Sequence, residues 1–248
     1  MAAALCCTTL AVALAGASRP ALRGGIATSG RATSAVMKFS VEEPIGVGNR
    51  IPDVEVEVGG SVEAAGMSTM TPITQVLGSG KAILLGMPGA FTPTCNDIHL
   101  PGFYKNAAEL KALGVETIAL VTTNDKFVNA QWQKSMEECM GVPAGQAPVV
   151  MLSDARGDLS EALGLIGYLG RALGVRSKRF ALVVENGVVE YKAVDEGSDA
   201  LSATSAESIV AYLKRGSMGS PLDGVPPTLI AGAVAALAFI YWFLDSFV

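Results

Sequence analysis

Histidine occurs once in the 248 residues and cysteine four times. So few thiols exclude a disulfide-stapled scaffold, which needs several bridges to replace a core. No cluster of His, Cys and carboxylates has the spacing of a metal site, so no metal or other cofactor is implied. Acidic residues are missing from residues 1–40, which carry Arg19, Arg23, Arg31 and Lys38. From Val41 onward, 14 Lys and Arg face 23 Asp and Glu, a net charge of −9. A body that acidic repels a phosphate backbone, which argues against nucleic acid as a partner. There is no internal repeat. The run Gly78-Ser79-Gly80-Lys81 lacks the upstream glycine and the following Ser or Thr of a nucleotide-binding loop.

What is present divides the chain into four parts. Residues 1–40 read as a targeting leader: Leu5 to Ala17 is apolar but too short to span a bilayer, and an acid-free Ala/Ser/Thr/Arg tract follows it. Together the two halves resemble a two-part plastid-targeting leader, with a plain chloroplast or mitochondrial leader as the simpler alternative. Residues 41–215 are the folded domain, and 216–225 a Gly-rich linker. Residues 226–248 are expected to form a C-terminal transmembrane helix. The stretch from Val225 to Phe243 approaches the ~20 residues a span requires, with Tyr241 and Trp242 at one end. The expected location is a plastid membrane, or alternatively a mitochondrial one.

Within the domain, Pro52 to Val58 alternates acids with valines, the period of a half-buried strand. Pro72 to Leu77 is a second short element. Ala82–Met87 and Val115–Thr122 are continuous apolar runs, the signature of strands buried on both faces. A helix is expected over Cys95–Leu113, interrupted at Pro101-Gly102 and stopped by Gly114. Another begins at an Asn124-Asp125 cap and runs to Met140. Val149–Leu152 is a strand and Leu159–Leu163 a short helix. Phe180–Val184 and Val188–Val194 form a hairpin across Asn186-Gly187, and Ser205–Leu213 is a last helix. The class is α/β, a sandwich with a mixed central sheet flanked by helices.

The chemistry gathers where the strand ending at Met87 passes through Pro88-Gly89-Ala90-Phe91-Thr92-Pro93-Thr94 to Cys95. A thiol at a helix start meets unpaired backbone N–H groups and the positive end of the dipole. Both favour thiolate, the nucleophilic form. Thr92, three residues earlier, can fold its hydroxyl back over the sulfur. His99, four residues later, shares the helix face of Cys95. Two readings of His99 stay open: it borders the pocket, or it is bonded to a neighbouring backbone. Phe91 is either a pocket-entrance residue or an ordinary core aromatic. Cys139 falls on a stripe with Val128, Trp132 and Met136, which favours a core position over a resolving thiol.

The string Pro-Gly-Ala-Phe-Thr-Pro-Thr-Cys, followed by His99-Leu-Pro-Gly-Phe103, resembles the peroxiredoxin family in its type II, or peroxiredoxin-5, branch. Asn124-Asp125-x-Phe127-Val128 and Gly174-Val175-Arg176-Ser177-Lys178-Arg179-Phe180 extend the likeness. The resemblance implies a thioredoxin-like fold and a thiol peroxidase reducing hydrogen peroxide and alkyl or lipid hydroperoxides through a Cys95 sulfenic acid. It assigns catalysis to Cys95, Thr92, Pro88 and Arg179, and substrate contact to Phe91 and His99. The fixed charge of Arg179 would favour the ionised sulfur; Arg176 is a structural or substrate-rim residue. Second cysteines found in relatives are absent: Leu120 stands at one such place and the other lies near Ala203. A one-cysteine cycle therefore follows, with glutathione, glutaredoxin or thioredoxin as external reductant and Cys139 as a weak alternative. A homodimer is also implied. The competing reading is a tail-anchored accessory subunit or redox sensor of a membrane complex that keeps the fold.

Overall fold

The computed structural model describes residues 43–59, 70–197 and 200–217. The expected leader at 1–40 and anchor at 226–248 lie outside the described residues. Among the described residues, no helix is long and apolar enough to cross a membrane.

The chain begins with strands β1 (Glu55–Gly59) and β2 (Met70–Pro72), the short helix α1 (Ile73–Leu77) and β3 (Lys81–Gly86). A loop then leads to one π-helical turn (Thr94–His99), continued directly by α2 (Leu100–Ala112). Next come β4 (Val115–Thr122), α3 (Lys126–Met140), β5 (Val150–Ser153) and α4 (Asp158–Ala162). The small strands β6 (Ile166–Tyr168) and β7 (Val175–Ser177) enclose α5 (Gly170–Leu173). The hairpin β8 (Arg179–Glu185) and β9 (Val188–Asp195) precedes the last helix, α6 (Ala206–Ser217).

Seven strands form one sheet in the order β2-β1-β5-β4-β3-β8-β9. β3, β4 and β5 run parallel, and the remaining pairs are antiparallel. The apolar runs explain the centre of this sheet. Along β3, Ile83 and Leu85 join the core under α2, α3 and α6, while Ala82 and Leu84 join the core on the other face with α1 and α4. The central positions of β4 (Ile118–Val121) and β8 (Phe180–Val184) divide their side chains the same way, so these stretches are apolar on both faces, and the polar residues stand toward the strand ends. Burying one such leucine or valine stabilises by about 1.5–3 kcal/mol relative to exposure.

Several local expectations hold. Asp125 caps α3 by accepting from the N–H groups of Phe127 (2.9 Å) and Val128 (3.0 Å), and Gly141 closes it in the left-handed region. Asn186 and Gly187 both take positive φ in the β8–β9 turn, the requirement of a tight two-residue hairpin. Ser205 caps α6, accepting from the N–H of Ser208 at 3.2 Å.

Three features differ from the sequence reading. The helix expected over Cys95–Leu113 is a π turn followed by an α-helix. Leu100 donates to the carbonyl of Cys95, five residues back. Pro101 has no N–H to give the residue four before it, and its ring crowds that carbonyl, so the ladder opens one residue wider just ahead of it. The element at Pro72–Leu77 splits into an edge strand and a one-turn helix. Finally, the β6–α5–β7 excursion was not anticipated, because three-residue strands are too short to show a period.

Candidate active site

The site lies where the parallel strands end. Gly86, the last residue of β3, sits opposite Phe180 on β8. A Cβ at Gly86 would lie 2.1 Å from the Phe180 ring, so only glycine lets β8 approach β3 here. Met87, Pro88 and Gly89 follow, all buried. The side-chain carbonyl of Asn124 then accepts from the N–H of Ala90 at 2.9 Å, tying the loop to the start of α3. Phe91 takes φ 58°, uncommon for a non-glycine residue. Such outliers gather at functional loops, where the surroundings enforce them.

Cys95 is the second residue of the π turn and is fully buried. Both terminal nitrogens of Arg179 approach its Sγ at 3.5 Å. Arg179 opens β8 and is itself completely buried. A buried guanidinium must be matched by acceptors; here the sulfur is one and His99 another, since Nη1 of Arg179 lies 2.9 Å from Nδ1 of His99. The other ring nitrogen of His99, Nε2, lies 2.9 Å from the carbonyl of Thr204. A carbonyl only accepts and a guanidinium only donates. His99 is therefore neutral with its proton on Nε2. Burial, with the arginine charge beside it, lowers its pKa from 6.5 to about 4, although the bond to Thr204 pulls the other way.

Thr204 is held in turn. Asp195, the last residue of β9, pairs with Arg179 across the ladder. Its carboxylate accepts from the backbone N–H of Ser202 (3.0 Å), Ala203 (3.0 Å) and Thr204 (3.2 Å). The hydroxyls of Ser202 (2.7 Å) and Thr204 (2.6 Å) complete the cage. Burial alone would raise the Asp195 pKa, but these donors outweigh it and hold the group well below the usual carboxylate range.

The structure thus brings together Cys95, Arg179 and His99, and the backbone that His99 binds belongs to a residue distant in sequence, Thr204, not to a neighbour in the chain. Thr92 differs from expectation. Its hydroxyl donates to the carbonyl of Gly89 at 2.9 Å. With its one proton engaged there, Thr92 offers lone pairs rather than a donor. Pro88 is buried in the loop. Phe91 is 48% exposed, its ring 6.2 Å from that of Trp132, so it is not a core aromatic. Cys139 corrects the stripe argument: it is exposed, and Glu137 occupies the buried face beside Met136. Asn124, Asp195 and Thr204 escaped the sequence reading. Asn124 was visible only as a helix cap and as part of the resemblance, Asp195 lies one residue past the expected strand end at Val194, and Thr204 acts through a backbone carbonyl that no side chain announces.

Residues 46–210 match the family described as Redoxin. The chain belongs to the peroxiredoxin family. A chloroplastic peroxiredoxin-2E-2 of Oryza sativa subsp. japonica is 38% identical over 177 residues, covering 70% of this chain and 75% of that protein. The crystal structure of reduced Prx3 from Vibrio vulnificus in complex with hydrogen peroxide is 32% identical, with a TM-score of 0.60 over 68% of this chain and 99% of that one. Peroxiredoxin 5 from Alvinella pompejana is 28% identical, with a TM-score of 0.58 over 69% and 99%. The mixed sheet flanked by helices is accordingly the thioredoxin-like fold, and this peroxiredoxin is a thiol peroxidase.

Proposed function

We propose that Cys95 carries the peroxidase reaction, with Arg179, Thr92 and Pro88 completing its site. The observation that carries this is the pair of guanidinium nitrogens at 3.5 Å from a buried sulfur. Charge-assisted donors in a water-poor site favour an anionic nucleophile and stay in place as it reacts. The sulfur attacks the terminal oxygen of the hydroperoxide. An S–O bond forms, the O–O bond breaks with its electron pair leaving on the other oxygen, and that oxygen takes a proton. Cys95 sulfenic acid and an alcohol or water result. Thr92 accepts a hydrogen bond from the incoming hydroperoxide, Pro88 shields the sulfur from water, and Phe91 stands at the entrance. His99 orients Arg179 and transfers no proton, since its Nε2 proton lies on Thr204 and its Nδ1 on the arginine.

Hydrogen peroxide is a substrate consistent with the Vibrio relative, and alkyl and lipid hydroperoxides fit the same attack. An external thiol such as glutathione, glutaredoxin or thioredoxin reduces the sulfenic acid. The acid-free leader and the chloroplastic rice relative support a plastid location. The apolar stretch at 226–248 supports a membrane anchor, which resistance to alkaline extraction from membranes tests. Exposed Phe91 and Ile98, on either side of Cys95 in the chain, favour a homodimer through this face; sedimentation of Ile98→Glu as a monomer would support it. The central test is thiol-coupled peroxide consumption by Cys95→Ser. Loss of activity with an intact fold is expected, and retained turnover would refute the assignment.

A further inference from the structure

A second cleft, of about 320 Å³, opens beside the active-site loop at the carboxyl ends of β4 and β5. Its lining divides into two halves. Arg156 and Arg176 supply positive charge, and Ile166, Leu173 and Val175 supply an apolar wall. Thr123, also in the lining, carries a buried hydroxyl that makes no hydrogen bond among the described residues. A buried hydroxyl without a partner is uncommon and marks a place where a ligand or solvent atom belongs.

The charge of the cleft is opposite to the chain's acidic balance. No acid lines it, although the chain from Val41 onward is strongly acidic. Between Glu161 and Glu185 the sequence holds Arg171, Arg176, Lys178 and Arg179 and no Asp or Glu. Arg176 is half-buried and held in place, its Nε donating to the carbonyl of Leu173 at 2.8 Å. That bond leaves its terminal nitrogens for other acceptors. Arg156 is exposed and ion-paired with Asp158. The cleft shares a wall with the reacting loop, because Nη1 of Arg176 lies 3.9 Å from where a Cβ on Gly89 would stand. Gly89 is the residue whose carbonyl receives the Thr92 hydroxyl. Strand carboxyl ends are also where sheets of this kind place ligands.

We infer that this cleft binds the carboxylate of a small co-substrate whose reactive group reaches Cys95 across the Gly89 loop. The inference rests on the peroxidase reading above and adds a recognition site to it. Two co-substrates have that chemistry. One is an acidic low-molecular-weight thiol, which condenses with Cys95 sulfenic acid to a mixed disulfide and water. A second thiol molecule then attacks the disulfide and restores Cys95. The other is a fatty-acid hydroperoxide, reduced to the hydroxy acid as Cys95 becomes sulfenic acid.

The test compares carboxylate-bearing and uncharged partners in the purified full-length protein and in Arg176→Gln, Arg156→Gln and Arg176→Lys. Glutathione is set against dithiothreitol, and linoleic acid hydroperoxide against tert-butyl hydroperoxide. If the thiol docks here, Arg176→Gln raises the ratio of KM for glutathione to KM for dithiothreitol about tenfold, as loss of one charge-assisted bond predicts. Arg156→Gln raises it about threefold, as for a solvent-screened charge, and Arg176→Lys recovers part of the loss. If the hydroperoxide docks here, the ratio between the two peroxides moves instead. Either pattern supports the site and names its occupant. Unchanged ratios in both glutamine variants would overturn it while leaving the peroxidase assignment intact, as would equal rises for charged and uncharged partners. A protein that reduces no peroxide with any thiol would instead defeat the underlying reading and the site with it.

Discussion

Arg179 and Asp195 face each other across the β8–β9 ladder, and each secures one end of the support for Cys95. Arg179 binds the sulfur and Nδ1 of His99. Asp195 binds the loop whose Thr204 carbonyl receives Nε2–H of the same ring. The carboxylate never touches the reacting atoms; it is a positioning residue. In Asp195→Asn one acceptor oxygen becomes a donor, so part of the cage around Ser202–Thr204 is lost. Stability should fall by about 1–3 kcal/mol, and the rate of Cys95 oxidation by hydrogen peroxide by about tenfold. Urea unfolding and competition kinetics report the two separately. An unchanged oxidation rate in the folded variant would reduce Asp195 to a purely structural acid.

The neutral state of His99 makes stability depend on pH. Its pKa falls from 6.5 in the unfolded chain to about 4 in the native protein. Between those values the unfolded chain binds more protons, so stability is lost as pH drops through that window. From pH 7 to pH 4.5 the loss amounts to roughly 2.5 kcal/mol from this group. Asp154, whose pKa burial raises, works in the opposite direction at the acid end of the window. Comparing wild type with His99→Gln cancels that contribution. The variant should be less stable at pH 7 but lose less on acidification. Parallel stability curves for the two proteins would show that the imidazole is not held neutral. Oxidation of Cys95 should slow over the same window, because a protonated Nδ1 repels the guanidinium that orients the sulfur.

Much of this was legible in the sequence because it is encoded locally. The apolar runs of β3, β4 and β8 announce a sheet buried on both faces, and Asn186-Gly187 announces its hairpin. The meeting of Cys95 and Arg179 was recoverable because their motifs carry residue types with few other reasons to occur together. The supporting layer was not legible. Asp195 and Thr204 lie about a hundred residues from His99; the β8–β9 pairing places Asp195 opposite Arg179, and the loop it holds before α6 brings Thr204 to the ring. Leu120, Trp132 and Met136 read correctly as core, yet the same periodicity misplaced Cys139, because a stripe defined by three apolar residues says little about a fourth at its edge. The π turn was also hidden, since a proline marks where a ladder must break but not how the chain will absorb the break.

The exposed position of Cys139 bears directly on how the sulfenic acid proposed for Cys95 would be reduced. Exposure alone would suit a resolving thiol better than the buried position first expected. Distance argues the other way. Nε1 of Trp132 donates to Asn96, the neighbour of Cys95, at 2.8 Å, which fixes the part of α3 that faces the active sulfur. Cys139 lies seven residues further along α3, about 10 Å of helix rise. A disulfide needs Cα atoms within about 7 Å, and Cys95 is enclosed by core residues such as Leu100, Phe103 and Trp132. Joining the two cysteines would require unwinding the π turn and part of that core. After one equivalent of peroxide without added thiol, intact-mass measurement should therefore show one added oxygen in both wild type and Cys139→Ser. Turnover with an external thiol should be the same in both. Loss of two hydrogens in the wild type but not in the variant would mean that the helix start opens readily after oxidation and that Cys139 is the resolving thiol.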